Sequence, residues 1–161
     1  MTITIEDTTA ANEWGIDEET QVASPPPAPV TPDEWGDGAL GLKSIYKQLS
    51  GLSQPDPDDE DFVPPTEFAM VRLLEVVQST AYGMMASQCP MPEGSVMADY
   101  SGGIRIEWWH DREYCVTLVI GHDEESKSYV FVKLDEGDPG SVNERVLPVR
   151  LASQLKTLSE M

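Results

Sequence analysis

Residues Gly102–Leu134 read GGIRIEWWHDREYCVTLVIGHDEESKSYVFVKL, three apolar runs of strand length divided by two short polar breaks. In the first run Ile104, Ile106 and Trp108 alternate with Arg105, Glu107 and Trp109, the period-2 pattern of a strand with one solvated face. His110-Asp111-Arg112-Glu113 breaks the run. Tyr114–Ile120 follows with no charged side chain on either face, which predicts a central strand. Gly121–Lys127 turns the chain again, and Tyr129–Leu134 closes the set with β-branched and aromatic residues. The three runs predict an antiparallel meander at the centre of a small core.

Working upstream, Ser101-Gly102-Gly103 supplies a turn and Ser95–Tyr100 a further strand, because glycine tolerates the positive φ of a tight hairpin. Before it, Phe68, Val71, Leu74, Val77 and Ala81 recur at helical spacing, widened by Met70, Leu73, Val76, Met84 and Met85. Thr66 is the predicted N-cap, Glu67 suits the first turn, and the chain leaves the helix between Gly83 and Gln88, ahead of Cys89-Pro90-Met91-Pro92. The methionines of this stripe read as core filling. Downstream, Asp135–Gly140 is an acidic glycine-rich loop, Val146–Val149 a short edge segment, and Leu151, Ala152, Leu155 and Leu158 mark a C-terminal amphipathic helix. The predicted fold is α+β: a long helix, a three- to four-stranded antiparallel meander and a C-terminal helix, in a domain spanning 64–161.

Residues 1–63 are predicted to be a disordered acidic tail. They contain the tracts SPPPAPVTPDEWGDG and SQPDPDDEDFVPP, too poor in apolar residues to offset chain entropy. Through residue 65 there are 14 acidic residues against Lys43 and Lys47, a net -12 of the chain's -19. Such a field disfavours nucleic acid and anionic lipid and favours a basic protein surface. Glu-Trp-Gly occurs at Trp14 and again at Trp35, read either as coincidence in a biased composition or as two docking motifs, each an aromatic anchor with an acidic flank. Leu42, Ile45, Tyr46 and Leu49 form one helical stripe, read as a transient helix that orders on a partner. Trp109, opposite Trp108, is read as an interface residue or as covered by the C-terminal helix.

Cys89 and Cys115 are far apart and outside any CxxC or Cys/His cluster, which predicts free thiols in a reducing, cytoplasmic setting. The N-terminus lacks the basic and apolar regions of a signal peptide, and no apolar run approaches the roughly 20 residues of a membrane span. Cys115, mid-strand in an apolar run, is predicted inert, and no phosphate-binding glycine loop or calcium loop is in register. No cofactor or metal is therefore expected.

At Gly102–Trp108, GGIRIEW, the chain resembles small bacterial proteins of mostly unknown role, some encoded in toxin–antitoxin pairs. They share a helix, a proline-rich lead and a Gly-Gly-Ile-x-Ile/Leu-Glu-Trp strand opening a meander. The resemblance spans residues 66–134, matches these seven positions closely and does not include the acidic tail. It implies a compact α+β module in a non-catalytic partner role. The leading expectation is a non-catalytic protein-interaction protein, antitoxin-like, that binds a basic protein partner through its acidic tail. The alternatives are a small hydrolase or metal-dependent enzyme using His110 and His122, and a structural or scaffold subunit.

Overall fold

The computed structural model describes Gly36, residues 39–54 and residues 61–161. Trp14 and Trp35 lie outside the described residues. The elements run α1 (Leu40–Leu52), α2 (Glu67–Ala86), β1 (Ser95–Ala98), β2 (Ile104–His110), β3 (Tyr114–Ile120), β4 (Tyr129–Lys133), β5 (Ser141–Asn143) and α3 (Pro148–Ser159). The strands pair antiparallel in chain order, and all three helices cover one face of the sheet. The fold is α+β, as the alternation and the helical stripe predict.

Register explains why the core sits where it does. Ile106 pairs Val96 on one side and Leu118 on the other, and Leu118 pairs Val130. Trp108, Val116 and Val132 form the next row, Ile104 and Ile120 another. Because side chains alternate, these rows give one continuous apolar surface. Leu73, Val76, Val77 and Met84 of α2 and Leu151, Leu155 and Leu158 of α3 pack on it. Met70 and Met85 are half-buried against the same core, so the methionines fill space there.

The start of α2 is fixed from two directions. Thr66 Oγ1 accepts the Ala69 N–H at 3.2 Å, the predicted N-cap bond, and donates to the His122 carbonyl at 2.6 Å. Its backbone N–H donates to Gly102 O at 2.9 Å. One threonine thus ties the helix to the turns at both β2–β3 partners' near ends.

Residues 40–49 depart from the sequence reading. Leu42, Ile45 and Leu49 are buried in the main core rather than held out for a partner, and Tyr46 Oη accepts a hydrogen bond from Gln78 Nε2 of α2. Gln48 makes the other attachment: its Oε1 accepts the Val96 N–H at 2.9 Å and its Nε2 donates to Gly94 O at 2.7 Å. Those groups belong to the free edge of β1, so α1 satisfies an edge that another strand could extend. Gly41 is pressed so closely on the Met91 and Pro92 carbonyls that a Cβ there would lie 2.2 Å from Met91 O. The folded body therefore includes α1 and begins well before residue 64.

Two further corrections concern the end of the chain. Val146–Val149 is not an edge strand: Pro148 opens α3, where its fixed φ and missing N–H are well placed. The edge is β5, in which Val142 pairs Phe131. Gly140, with φ +89°, lies directly on the Phe131 ring, leaving no space for a Cβ.

Candidate functional site

The helices leave the second face of the sheet to solvent. On β2 this face carries Arg105, Glu107 and Trp109, on β3 Val119, Thr117 and Cys115, on β4 Tyr129, Phe131 and Lys133, and on β5 Val142. Trp109 is 52% exposed and Val142 59%, while Val119, Tyr129 and Phe131 are half-buried against one another. Nothing in the core requires these apolar groups to be at the surface. Together with Arg105 and Glu107 they line a shallow depression of about 400 Å³. Arg105, Val119 and Tyr129 continue into a second depression of about 690 Å³, bounded by Phe62, Val63 and Tyr100.

Polar atoms on the face hold its aromatics in place. Arg105 Nε lies 3.3 Å from Glu107 Oε1, and Trp109 Nε1 donates to Glu107 Oε2 at 3.1 Å. Glu107 therefore bridges a cation and an indole, fixing the ring that projects furthest. Among the described residues Lys133 has no ion-pair partner, and it stands in the row Trp109–Cys115–Lys133. Trp109 is not capped by α3, which packs on the opposite face. Only the last turn, at Leu158 and Ser159, reaches a cleft beside it.

Cys115 is on the open face yet only 3% exposed. Burial, and next the charge of Glu107, push its thiol above the ordinary range, against the smaller opposing effects of Lys133 and Thr117. A buried thiol held in its protonated form is a poor nucleophile.

The two histidines are not brought together. His110 ends β2 and His122 follows Ile120 at the far end of β3, so the seven-residue strand between them sets them about 20 Å apart. His110 Nε2 contacts Asp111 at 3.3 Å and its ring tilts against Tyr114.

His122 has closer company that the sequence reading missed. Ser126 Oγ lies 2.9 Å from His122 Nδ1 and 2.5 Å from Asp123 Oδ1, and His122 Nε2 lies 3.2 Å from Asp123 Oδ2. The residue types are those of a nucleophile, base and carboxylate. Their arrangement is that of a turn: Asp123 Oδ1 also accepts the Ser126 and Glu125 N–H groups, at 2.7 and 3.1 Å. Hydrogen bonds from the Ser126 hydroxyl and N–H hold Asp123 below the usual carboxylate range. The hydroxyl proton is thus engaged by the carboxylate instead of the imidazole, where activation would require it.

The GGIRIEW motif is accounted for by folding. Gly102 has φ +86° and faces Thr66 Cγ2, and a Cβ on Gly103 would lie 2.4 Å from Asp99 Oδ2. Asp99 Oδ1 accepts N–H bonds from Ser101 and Gly103, both at 2.8 Å, and the Ser101 hydroxyl at 2.7 Å. Burial raises its pKa, but these bonds and His122 outweigh it and hold the carboxyl below its ordinary value. Trp108 is fully buried and donates Nε1–H to Pro92 O at 3.2 Å, joining the motif to the proline lead.

Comparison with protein-family models, curated proteins and solved structures returned no match. Among the described residues no group of three or more His, Cys, Asp or Glu is placed to hold a metal ion. No helix among them is long and apolar enough to cross a membrane.

Proposed function

We propose that this chain is a non-catalytic protein-interaction protein, antitoxin-like in role, that binds a basic protein partner. The open sheet face around Trp109 is the contact surface, and the acidic N-terminal segment adds charge. The observation that carries this reading is a solvent-facing row of aromatic and β-branched side chains on the side of the sheet away from the core. A rigid indole with a satisfied N–H supplies contact area at small entropic cost, which is why such residues dominate interface energies. The chain's -19 charge selects basic partners and speeds their encounter. The antitoxin-like element rests on the motif resemblance alone.

The test begins with parallel capture from source-cell extract on wild-type and Trp109→Ala chains. A protein retained by wild type alone is then purified and titrated at two salt concentrations. It should carry net positive charge, bind Trp109→Ala about tenfold or more weakly, and lose affinity as salt rises. Equal retention by both chains, or a retained protein without excess positive charge, refutes the proposal.

A further inference from the structure

Among the described residues nothing covers the open face, and its size suits a second sheet. It runs about 20 Å along β2 and, with five strands in the sheet, about 19 Å from β1 to β5, a footprint of about 400 Å². Projecting side chains and the walls of the depressions raise the accessible area to about 600–800 Å² per copy, so two apposed copies would bury about 1,200–1,600 Å², the size of a stable specific interface. The relief is also complementary to itself. Trp109 projects at one end of the face. At the other, about 13 Å back along β2, Arg105, Val119 and Tyr129 floor the depression of about 690 Å³ that Met97, Tyr100 and Phe62 help to enclose. A knob and a hollow at opposite ends of one patch are what a twofold pair of identical surfaces requires.

We propose that a second copy of this chain covers the open face: the two sheets pack face to face about a twofold axis crossing the strands at the level of Thr117, and each Trp109 indole seats in the other copy's depression. Reflecting the register across the row Glu107–Thr117–Phe131 brings Trp109 over Arg105 and Lys133 over Tyr129, a cation against an aromatic ring in both cases. Face-to-face sheets pack about 10 Å apart with strands crossing at about 30°, so the apolar side chains of β3, β4 and β5 interdigitate. Charge permits the pairing at this face although the chain as a whole is at -19. Arg105 and Lys133 stand against Glu107 on the face and Asp61 and Asp99 at its rim, two cations for three carboxylates. Glu107, nearest the axis, is already met by Arg105 and the Trp109 N–H of its own copy. The sheet edges are poorer routes to a second copy, because Gln48 satisfies backbone groups at β1 and β5 offers three residues.

The inference goes beyond the partner reading and does not rest on it. Where both hold, a second copy and a partner compete for Trp109, and self-association sets how much of the face is free.

The experiment is sedimentation equilibrium of the purified full chain, which should show monomer and dimer with a dissociation constant below about 1 mM. Trp109→Ser should weaken the dimer about tenfold or more with an unchanged circular dichroism spectrum. Val149→Ser, which removes an apolar side chain 78% exposed on α3, should leave it unchanged. Because the two copies carry like net charge, added salt should tighten the dimer about twofold or more, the opposite of its effect on a basic partner. In a mixture of ¹³C-methyl-labelled and unlabelled chains, isotope-filtered nuclear Overhauser contacts should join the Trp109 ring to the Val119 methyl groups. Within one copy these residues stand about 14 Å apart along the sheet, too far for such a contact. A chain that stays monomeric at about 1 mM overturns the proposal. So does a dimer that Trp109→Ser leaves intact, one that salt weakens, or one without the filtered contacts. No partner is present in these samples, so their failure leaves the interaction reading intact, and a failed capture leaves this one intact.

Discussion

Replacing Ile45 by Ala separates a core helix from one that orders only on a partner. Ile45 is 0% exposed and packs in the same core as Val96, Ile106 and Trp108. The substitution removes three buried carbons, about 2.4 kcal/mol at roughly 0.8 kcal/mol each. The residual cavity adds to this, because Leu42 and Leu49 on the same stripe are themselves fixed, giving about 2.5–4 kcal/mol in total. With a urea m-value of about 1.5–2 kcal/mol/M, the midpoint should fall by about 1.3–2.7 M. The thermal midpoint should fall by about 10–15 °C for a folded body of this size. The assay is urea unfolding followed by tryptophan fluorescence and far-ultraviolet circular dichroism together. Trp108 reports the sheet core and the dichroism reports the helices, so coincident transitions mean one cooperative unit. Lys47→Ala, on the exposed side of α1, is the control and should move the midpoint by less than about 0.5 kcal/mol. If Ile45→Ala unfolds at the wild-type midpoint, α1 contributes nothing to the core and the packing described above is wrong.

Gln48→Leu keeps side-chain volume but strips the Val96 N–H and Gly94 carbonyl of their partner, so it should cost about 1–3 kcal/mol in the same titration. Sizing chromatography of that variant should also show concentration-dependent association through the freed β1 edge. Gly103→Ala forces a Cβ onto the Asp99 carboxylate and the Ile120 carbonyl, and should destabilise by about 1–3 kcal/mol where an exposed Gly51→Ala does not. Cys115 should stay unreactive to an aromatic disulfide reagent at neutral pH until urea unfolds the sheet, while half-buried Cys89 reacts at once. Asp99 has a depressed folded-state pKa, so its stabilisation is complete above the unfolded value, about 3.8–4, and disappears as pH falls through the lower folded value. The urea midpoint should therefore drop between about pH 5 and pH 3, and less steeply in Asp99→Asn, measured against each protein's own neutral value.

Local pattern was enough for much of the architecture. Alternation in Ile104–Trp109 gave both the strand and its buried side, and Thr66 marked the start of α2 because capping is a property of four consecutive residues. The stripe at Leu42, Ile45, Tyr46 and Leu49 gave the helix and its apolar face. It could not say whose surface covers that face, since the deciding contacts, Gln48 to Gly94 and Val96, span 46 and 48 residues. For β5 the difficulty is size: Ser-Val-Asn has no periodicity of its own and is a strand only because β4 presents an edge to it. Trp109 was legible as an odd residue on the wet side. Its neighbours Val119, Tyr129 and Phe131 were not, because a run with apolar residues on both faces predicts cover on both. The structure supplies that cover on one side only. The Ser126 contacts with His122 and Asp123 were hidden for another reason: a serine three residues after an aspartate is the common chemistry of a turn.

The seven motif residues at Gly102–Trp108 bear on where function can reside. Gly102 and Gly103 close the hairpin against Thr66 and Asp99, Ile104, Ile106 and Trp108 build the core, and Arg105 and Glu107 form the pair that orients Trp109. Five of the seven positions are committed to the hairpin or the core, and Arg105 and Glu107 also line the open face. On the proposed interaction role, partner choice falls to what the motif leaves unconstrained: the open-face residues of β3 and β4, the residue after the motif tryptophan, and the segment preceding α1. In this chain those positions hold Val119, Tyr129 and Phe131, the half-exposed Trp109, and an acidic sequence. Exchanging the open-face residues between two such chains should therefore move partner choice while leaving the unfolding midpoint nearly unchanged, because the two faces of a sheet are separated by its period-2 geometry.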